Sequence, residues 1–231
     1  MDVVWDGVRD AISLLIGGDA ETWEIVALSL RVSLTATAIA FLVGVPAGAA
    51  LAFGRFRGRR VALAAVNTGM GVPPVVAGLL VTVLLWRSGP LGSLGLLFTP
   101  TAMVIAQTAI ALPLVAGLSA AALQHVDPDF RVQMQALGAG RWRSLWAVAV
   151  EARLPLLAAA MAGFGAVISE VGAAMMVGGN LAGETRVLTT AAVLEASRGA
   201  FGAALALGII LLVLAFAVNL ALTAAQQRGR A

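Results

Sequence analysis

The sequence predicts an all-α integral membrane protein, a helical bundle of about five transmembrane helices. Three observations predict it. Of 231 residues, 60% are hydrophobic and only 12% charged, against roughly 45–50% and about 25% in soluble domains. Apolar runs long enough to cross a bilayer recur along the chain, and arginines gather in the short segments between them. Finally, a soluble chain of this composition would expose more apolar surface than its polar side chains could cover. The length suits a single domain, 1–231, with an N-terminal segment 1–24 and a loop 124–153 set apart by their polarity.

The opening, MDVVWDGVRDAISLLIGGDAETWE, carries Asp2, Asp6, Asp10, Asp19, Glu21 and Glu24 against one arginine, Arg9. A cleavable signal begins with a basic stretch before its apolar core, so this segment is not read as one. Val4, Val8, Ile12 and Leu15 recur at helical spacing, which fits a short helix lying at the membrane interface; a frayed acidic tail is the alternative. A spanning helix needs about 20 mainly apolar residues. Five stretches qualify: Ile25–Phe53, Val61–Trp86, Thr101–Leu123, Leu154–Val177 and Phe201–Ala224.

Arginine placement sets the expected orientation. Arg55, Arg57, Arg59 and Arg60 follow the first span. Arg131, Arg141, Arg143 and Arg153 follow the third, and Arg228 and Arg230 follow the fifth. With five spans all three groups share one side, which the positive-inside rule makes cytoplasmic, leaving the N-terminus outside and the C-terminus inside. The formal charge of +3 then reports topology, not nucleic-acid binding, because the arginines form no basic face.

Missing residue types exclude chemistry. There is no cysteine, and every basic residue is arginine. Without lysine the chain lacks the phosphate-binding loop of P-loop ATPases, so it is expected to be no enzyme and to hold no cofactor or metal of its own. The single histidine, His125, lies in a loop, every aspartate falls outside the spans, and H-E-x-x-H is absent. These facts argue against intramembrane serine, aspartyl and metalloproteases. A channel or scaffold that needs no ATPase is the remaining rival class.

The segment HVDPDFRVQMQALGAGRWRSLWAVAVEARLP is the most informative. Asp127 is an N-cap, Pro128 suits the first helical position, and Asp129 favours the same end through the helix dipole. Phe130, Met134 and Leu137 fall at i, i+4 and i+7, forming one apolar face. Gly138 is placed to end the helix in a left-handed turn, and Gly140 precedes a second helix from about Arg141. Such a helix can rest on lipid headgroups or dock into a cytoplasmic partner.

A family resemblance decides between these. ALGAGRWRSLW, followed by EARLPLLAAAMAGFGAVISEVGA, resembles the coupling loop of ABC importer permeases of type I. Gly138 stands for that loop's glycine, and the later Leu-Pro is Leu154–Pro155. Where the family pattern has Glu-Ala-Ala, this chain has Val132, Gln133 and Met134. Pro73 to Gly78, PPVVAG, looks like a motif shared by molybdate and tungstate permeases. The block Ser169–Glu195 is most similar to tungstate permeases, with molybdate permeases as relatives. The resemblance implies a type I importer permease fold in a bacterial or archaeal inner membrane. It implies a homodimer with the pathway on its two-fold axis and an extracytoplasmic oxyanion-binding protein. It also implies two cytoplasmic ATPase subunits, which bind the ATP and Mg. The coupling residues it implies are Phe130, Met134, Ala136, Leu137, Gly138, Ala139 and Arg141.

Pathway or gate candidates follow. Pro73 and Pro74 interrupt a span, leaving backbone groups that lipid cannot satisfy; the break either borders the pathway or packs on protein. Glu170, in the fourth span, is costly in lipid and would repel an anion, which favours a structural hydrogen-bonded or paired role over gating. Ser169 could donate to substrate, although its own helix carbonyl is the nearer acceptor. Asn180, Thr185, Arg186, Thr189 and Thr190 supply donors in a glycine-bearing outer segment, and arginine among hydroxyls suits tetrahedral oxyanions. The same segment could dock the binding protein, or Arg186 could simply pair with Glu184. Arg31 should snorkel outward from the first span.

Overall fold

Uninterrupted apolar runs become single long helices here, and runs broken by proline or by a polar pair become bent ones. The structure is a computed structural model and describes residues 2–228; Arg230 of the basic tail lies outside them. Every regular element among the described residues is helical.

The first helix, α1, spans Asp2–Ile16, so the acidic opening is not a frayed tail. It packs on the last helix, named α11 below, which spans Phe201–Arg228. The face that meets α11 is a different one from the apolar stripe expected to lie at the membrane interface, of which the Val4 and Leu15 side chains lie outside the described residues. Gly7 and Ala11 are buried there with Leu14 beside them, and Ile12 remains 53% exposed. A Cβ on Gly7 would stand 2.9 Å from that of Leu205, so a small residue, not a large apolar one, sets the approach.

Asp19 caps the second helix, α2, Ala20–Phe53, by accepting from Thr22 N at 2.9 Å and Thr22 Oγ1 at 2.6 Å. The Thr22 hydroxyl, and then its backbone N–H, hold the Asp19 carboxyl below its ordinary value. At 34 residues and about 1.5 Å per residue, α2 is longer than the bilayer's apolar thickness. Pro46 lies within it without ending it.

The second expected span is two helices, α3 (Arg59–Gly71) and α4 (Pro74–Leu85), bent by 106°. Pro73 is the N-cap of α4 and Pro74 its first residue, where a missing N–H costs nothing. A Thr99 cap then opens α5, Pro100–Gln124. The polar loop forms α6 (Pro128–Ala136) and α7 (Arg141–Glu151), and α7 passes through Ala152 into α8 (Arg153–Ile168) at 69°. The expected fourth span, Leu154–Val177, is therefore not one rod. It stops at Ile168, and a separate short helix α9 spans Gly172–Gly178. The glycine-bearing segment after α9 is likewise more ordered than its glycines suggested, because it contains α10, Leu188–Ser197. Alone, α2, α5 and α11 are long and apolar enough to cross a membrane. Counting the pairs α3–α4 and α7–α8 as one span each gives five.

Helix α5 is the centre, and α2, α3, α4, α8 and α9 all pack on it. Val32, Ala36, Ala40, Gly44 and Gly48 of α2 are buried at every fourth position, a small-residue stripe that lets two helices approach closely. A Cβ on Gly48 would meet Ala116 O at 2.7 Å and Ala120 N at 2.9 Å. A Cβ on Gly163 of α8 would meet the Val115 side chain of α5 at 2.8 Å, whereas Gly165 and Gly208 have open space beside them and are not approach points.

Substituting Gly48 with valine should therefore lower the unfolding midpoint of the detergent-purified protein, costing about 1–3 kcal/mol, whereas Gly208→Val should leave it unchanged. Equal midpoints for the two variants would remove the α2–α5 contact as the core of the fold.

Candidate functional site

Two regions hold the candidate residues. The first is the corner between α6 and α7. Asp127 Oδ1 accepts from Asp129 N at 2.9 Å, and Asp127 O accepts from Phe130 N at 3.1 Å. At the other end Leu137 N donates to Gln133 O, Gly138 N to Gln135 O and Ala139 N to Met134 O, all within 2.9–3.0 Å. These bonds satisfy the last carbonyls of α6 and require a left-handed residue. Gly138 supplies it, with φ +81° and open space around its α-carbon, so backbone conformation, not crowding, requires glycine here. Gly140 then caps α7, with Ser144 N donating to its carbonyl at 3.0 Å.

The expected single apolar face is divided. Phe130 packs inward on Leu123, Val148 and Leu156. Met134 and Ala139 are half-buried, Ala136 and Arg141 are exposed, and Leu137 and Trp142 are each 82% exposed. Adjacent residues on a turn cannot all face one way, and the left-handed Gly138 throws the chain outward just after Leu137. One end of the corner is anchored and the other presents bare apolar surface.

The second region is a cavity of about 720 Å³ where both broken helices meet. Pro73 and Pro74 line it from the α3–α4 bend, and Ser169 and Glu170 from the α8–α9 break. Ser169 Oγ donates to Gly165 O at 2.8 Å. Glu170 Oε1 accepts from Ala173 N at 3.0 Å, making the carboxylate a cap for α9. Among the described residues no arginine lines the cavity, and Glu170 is its one charged lining residue. Elsewhere on these helices a Cβ on Gly78 would stand 2.6 Å from Ala173 Cα, so α4 and α9 touch backbone to backbone.

The candidates from Asn180 to Thr190 are used internally. Thr185, fully buried, donates to Gly178 O at 2.6 Å and accepts from Leu181 N at 2.9 Å. Thr189 donates to Glu170 O at 2.8 Å, tying α10 to the α8–α9 break. Thr190 bonds both backbone groups of Val187. None of these three hydroxyls keeps a proton for an anion. Asn180 adopts φ +55°, directs Nδ2 to Thr190 O at 3.4 Å and leaves a buried Oδ1 without a partner. Arg186 pairs with Glu21 on α2 at 3.2 Å, not with Glu184. Arg31 is exposed near Glu21 and Glu24. Sequence reasoning missed Glu21 and Ser29, whose Oγ accepts from Leu188 N at 2.9 Å. No local signal marks either one, since their partners lie more than a hundred residues away.

Residues 44–230 match the family described as binding-protein-dependent transport system inner membrane component. The chain is 38% identical over 227 residues to the tungstate uptake system permease protein TupB of Peptoclostridium acidaminophilum, covering 98% of this chain and 100% of that protein. It is 43% identical over 201 residues to a probable anion ABC transporter permease protein of Haloferax volcanii, covering 85% and 87%. In fold it is similar to a chain of the inward-facing MetNI methionine ABC transporter, with a TM-score of 0.75 at 19% identity, covering 94% of this chain and 96% of that one. The chain belongs to the family of binding-protein-dependent transport system inner membrane components, the permease subunits of ABC importers.

Proposed function

We propose that this chain is the homodimer-forming permease of an ATP-driven importer for a tetrahedral oxyanion, tungstate in the first place. The observation that carries the substrate is the full-length similarity to a tungstate permease. The cavity at the two broken helices supports it. It holds no fixed cation, and its carboxylate, Glu170, is engaged by Ala173 N, so an anion passing it meets no strong ligand that would trap it there. Selectivity among tungstate, molybdate and other tetrahedral anions then resides in the extracytoplasmic binding protein. ATP and Mg belong to two cytoplasmic ATPase subunits.

Coupling has a mechanical route. An ATPase groove takes the exposed Leu137–Trp142 corner. Phe130 anchors that corner to the bundle, and α7 runs through Ala152 into α8. Helix α8 ends at Ser169, at the cavity, and α9 beyond it is locked to α4 at Gly78. Motion of the corner thus reaches both broken helices at once. The arginine-rich turns lie on the cytoplasmic side, and the Arg186–Glu21 strut lies on the outer side, where the binding protein docks.

Three outcomes test this reading. Gly138→Asp should still insert but lose at least about tenfold in uptake, because aspartate is strained at a positive φ and places charge at the docked corner; normal uptake would exclude coupling through α6. In reconstituted vesicles, tungstate should stimulate ATP hydrolysis only when the binding protein is present, and stimulation without it would move substrate recognition into this chain. Glu170→Gln should retain uptake within about twofold because the amide oxygen still caps Ala173 N, whereas Glu170→Ala should lose the cap and about 1 kcal/mol of stability. A glutamine variant as impaired as the alanine one would assign the charge itself a role.

A further inference from the structure

At the end of α2 the chain turns through Arg55, Phe56, Arg57 and Gly58 into α3, and the turn encloses a cavity of about 840 Å³ with α6. Arg55, Arg57, Arg59 and Arg131 line it, and among the described residues no carboxylate does. The ion pairs Arg186–Glu21 and Arg198–Glu195 involve none of these four.

Two of the four arginines are held in place, and Arg55 and Arg57 are exposed on the turn. Arg59 Nε donates to Leu51 O at 2.7 Å, which fixes its guanidinium against the last turn of α2. The Arg131 guanidinium lies 4.2 Å above the Phe53 ring centroid, a stacked position that orients the planar fork. Its Nε is buried without a partner, and a buried donor left unmade carries a penalty that an incoming acceptor removes. Four unpaired cations in one concavity repel one another until an anion enters. Phe56 and Val61, 47% and 72% exposed, flank the turn beside a membrane-spanning helix.

We infer that this cavity binds the phosphate of an anionic phospholipid headgroup, whose acyl chains lie along the flanking apolar side chains. Guanidinium forks match phosphate oxygens in geometry and charge, and basic pockets between helices at the cytoplasmic face are suited to such headgroups. The bound phosphate bridges the α2–α3 turn to Arg131 of α6, and so braces the anchored end of the coupling corner. The inference rests on the proposed placement of this end of α2 at the inner leaflet. It does not depend on which anion is transported.

The test is native mass spectrometry of the full chain released from nanodiscs of mixed phosphatidylglycerol and phosphatidylcholine. Phosphatidylglycerol should be retained preferentially. Arg55→Gln, at an exposed turn where folding is not at stake, should weaken retention by about fivefold, and so should Arg131→Gln. Arg60→Gln, which removes a neighbouring charge that does not line the cavity, should leave retention unchanged. Equal retention of the two lipids overturns the inference, as does an equal loss in Arg60→Gln, which would reduce the effect to general attraction. Displacement of the lipid by millimolar inorganic phosphate would identify a free-anion site and also overturn it. If the Arg55 and Arg131 variants keep their lipid but lose the ATPase, the cavity is a protein contact. Lipid retention is read on the permease itself, so its failure leaves coupling through Gly138 standing.

Discussion

The closeness of α2 to α5 is the constraint on which the rest of the structure depends. At Gly48 a single added carbon would meet the backbone of α5 at 2.7 Å, so the two helices touch main chain to main chain. In lipid there is no hydrophobic gain from hiding one apolar helix against another, and close packing has to supply the attraction instead. The five-residue stripe from Val32 to Gly48 does so, and it places α5 where α3, α4, α8 and α9 can pack on it as well. With α2 and α5 fixed, the broken helices α3–α4 and α8–α9 have a rigid wall to lean on.

Those breaks would otherwise be costly. A span that stops in the apolar layer leaves backbone groups without partners, each worth several kcal/mol in that medium. Here each break carries its own compensation. Proline begins α4, so one donor is absent from the start. The Ser169 hydroxyl returns to Gly165 O, Glu170 caps α9, and the Glu170 carbonyl takes the Thr189 hydroxyl. An acidic residue in a span is therefore explained without a charge partner, because it does the work of an N-cap.

What was legible in the sequence was local. Apolar runs announced α2, α5 and α11, and Asp127, Pro128 and Gly138 announced α6 and its corner, because caps and left-handed turns depend on residues within four positions of one another. Pro73 and Pro74 announced a break but not its 106° angle, which packing against α5 and α9 sets. The division of the fourth span at Ser169 was hidden because Ser169 and Glu170 sit in an otherwise unbroken apolar run. The outer hydroxyls were misjudged for a related reason. Thr185 and Thr189 look like free donors until the fold brings Gly178 O and Glu170 O to them. The partner of Arg186 was nearest in sequence at Glu184, but the fold supplies Glu21.

Charge is distributed to match this division of labour. Cations collect at the ends of helices: four arginines around the α2–α3 turn and α6, and Arg31 and Arg186 near the acids of α2 at the other end. The cavity between the broken helices holds none. A binding site for a dianion would invert that pattern, because arginine forks are the strongest ligands a protein offers an oxyanion. A passage would not, since each strong contact along it slows release. On the proposed reading the chain leaves recognition to a partner on one side and force to a partner on the other. What it keeps is a bendable pair of helices whose own polar groups are already satisfied, and which can therefore shift without losing partners to the passing ion.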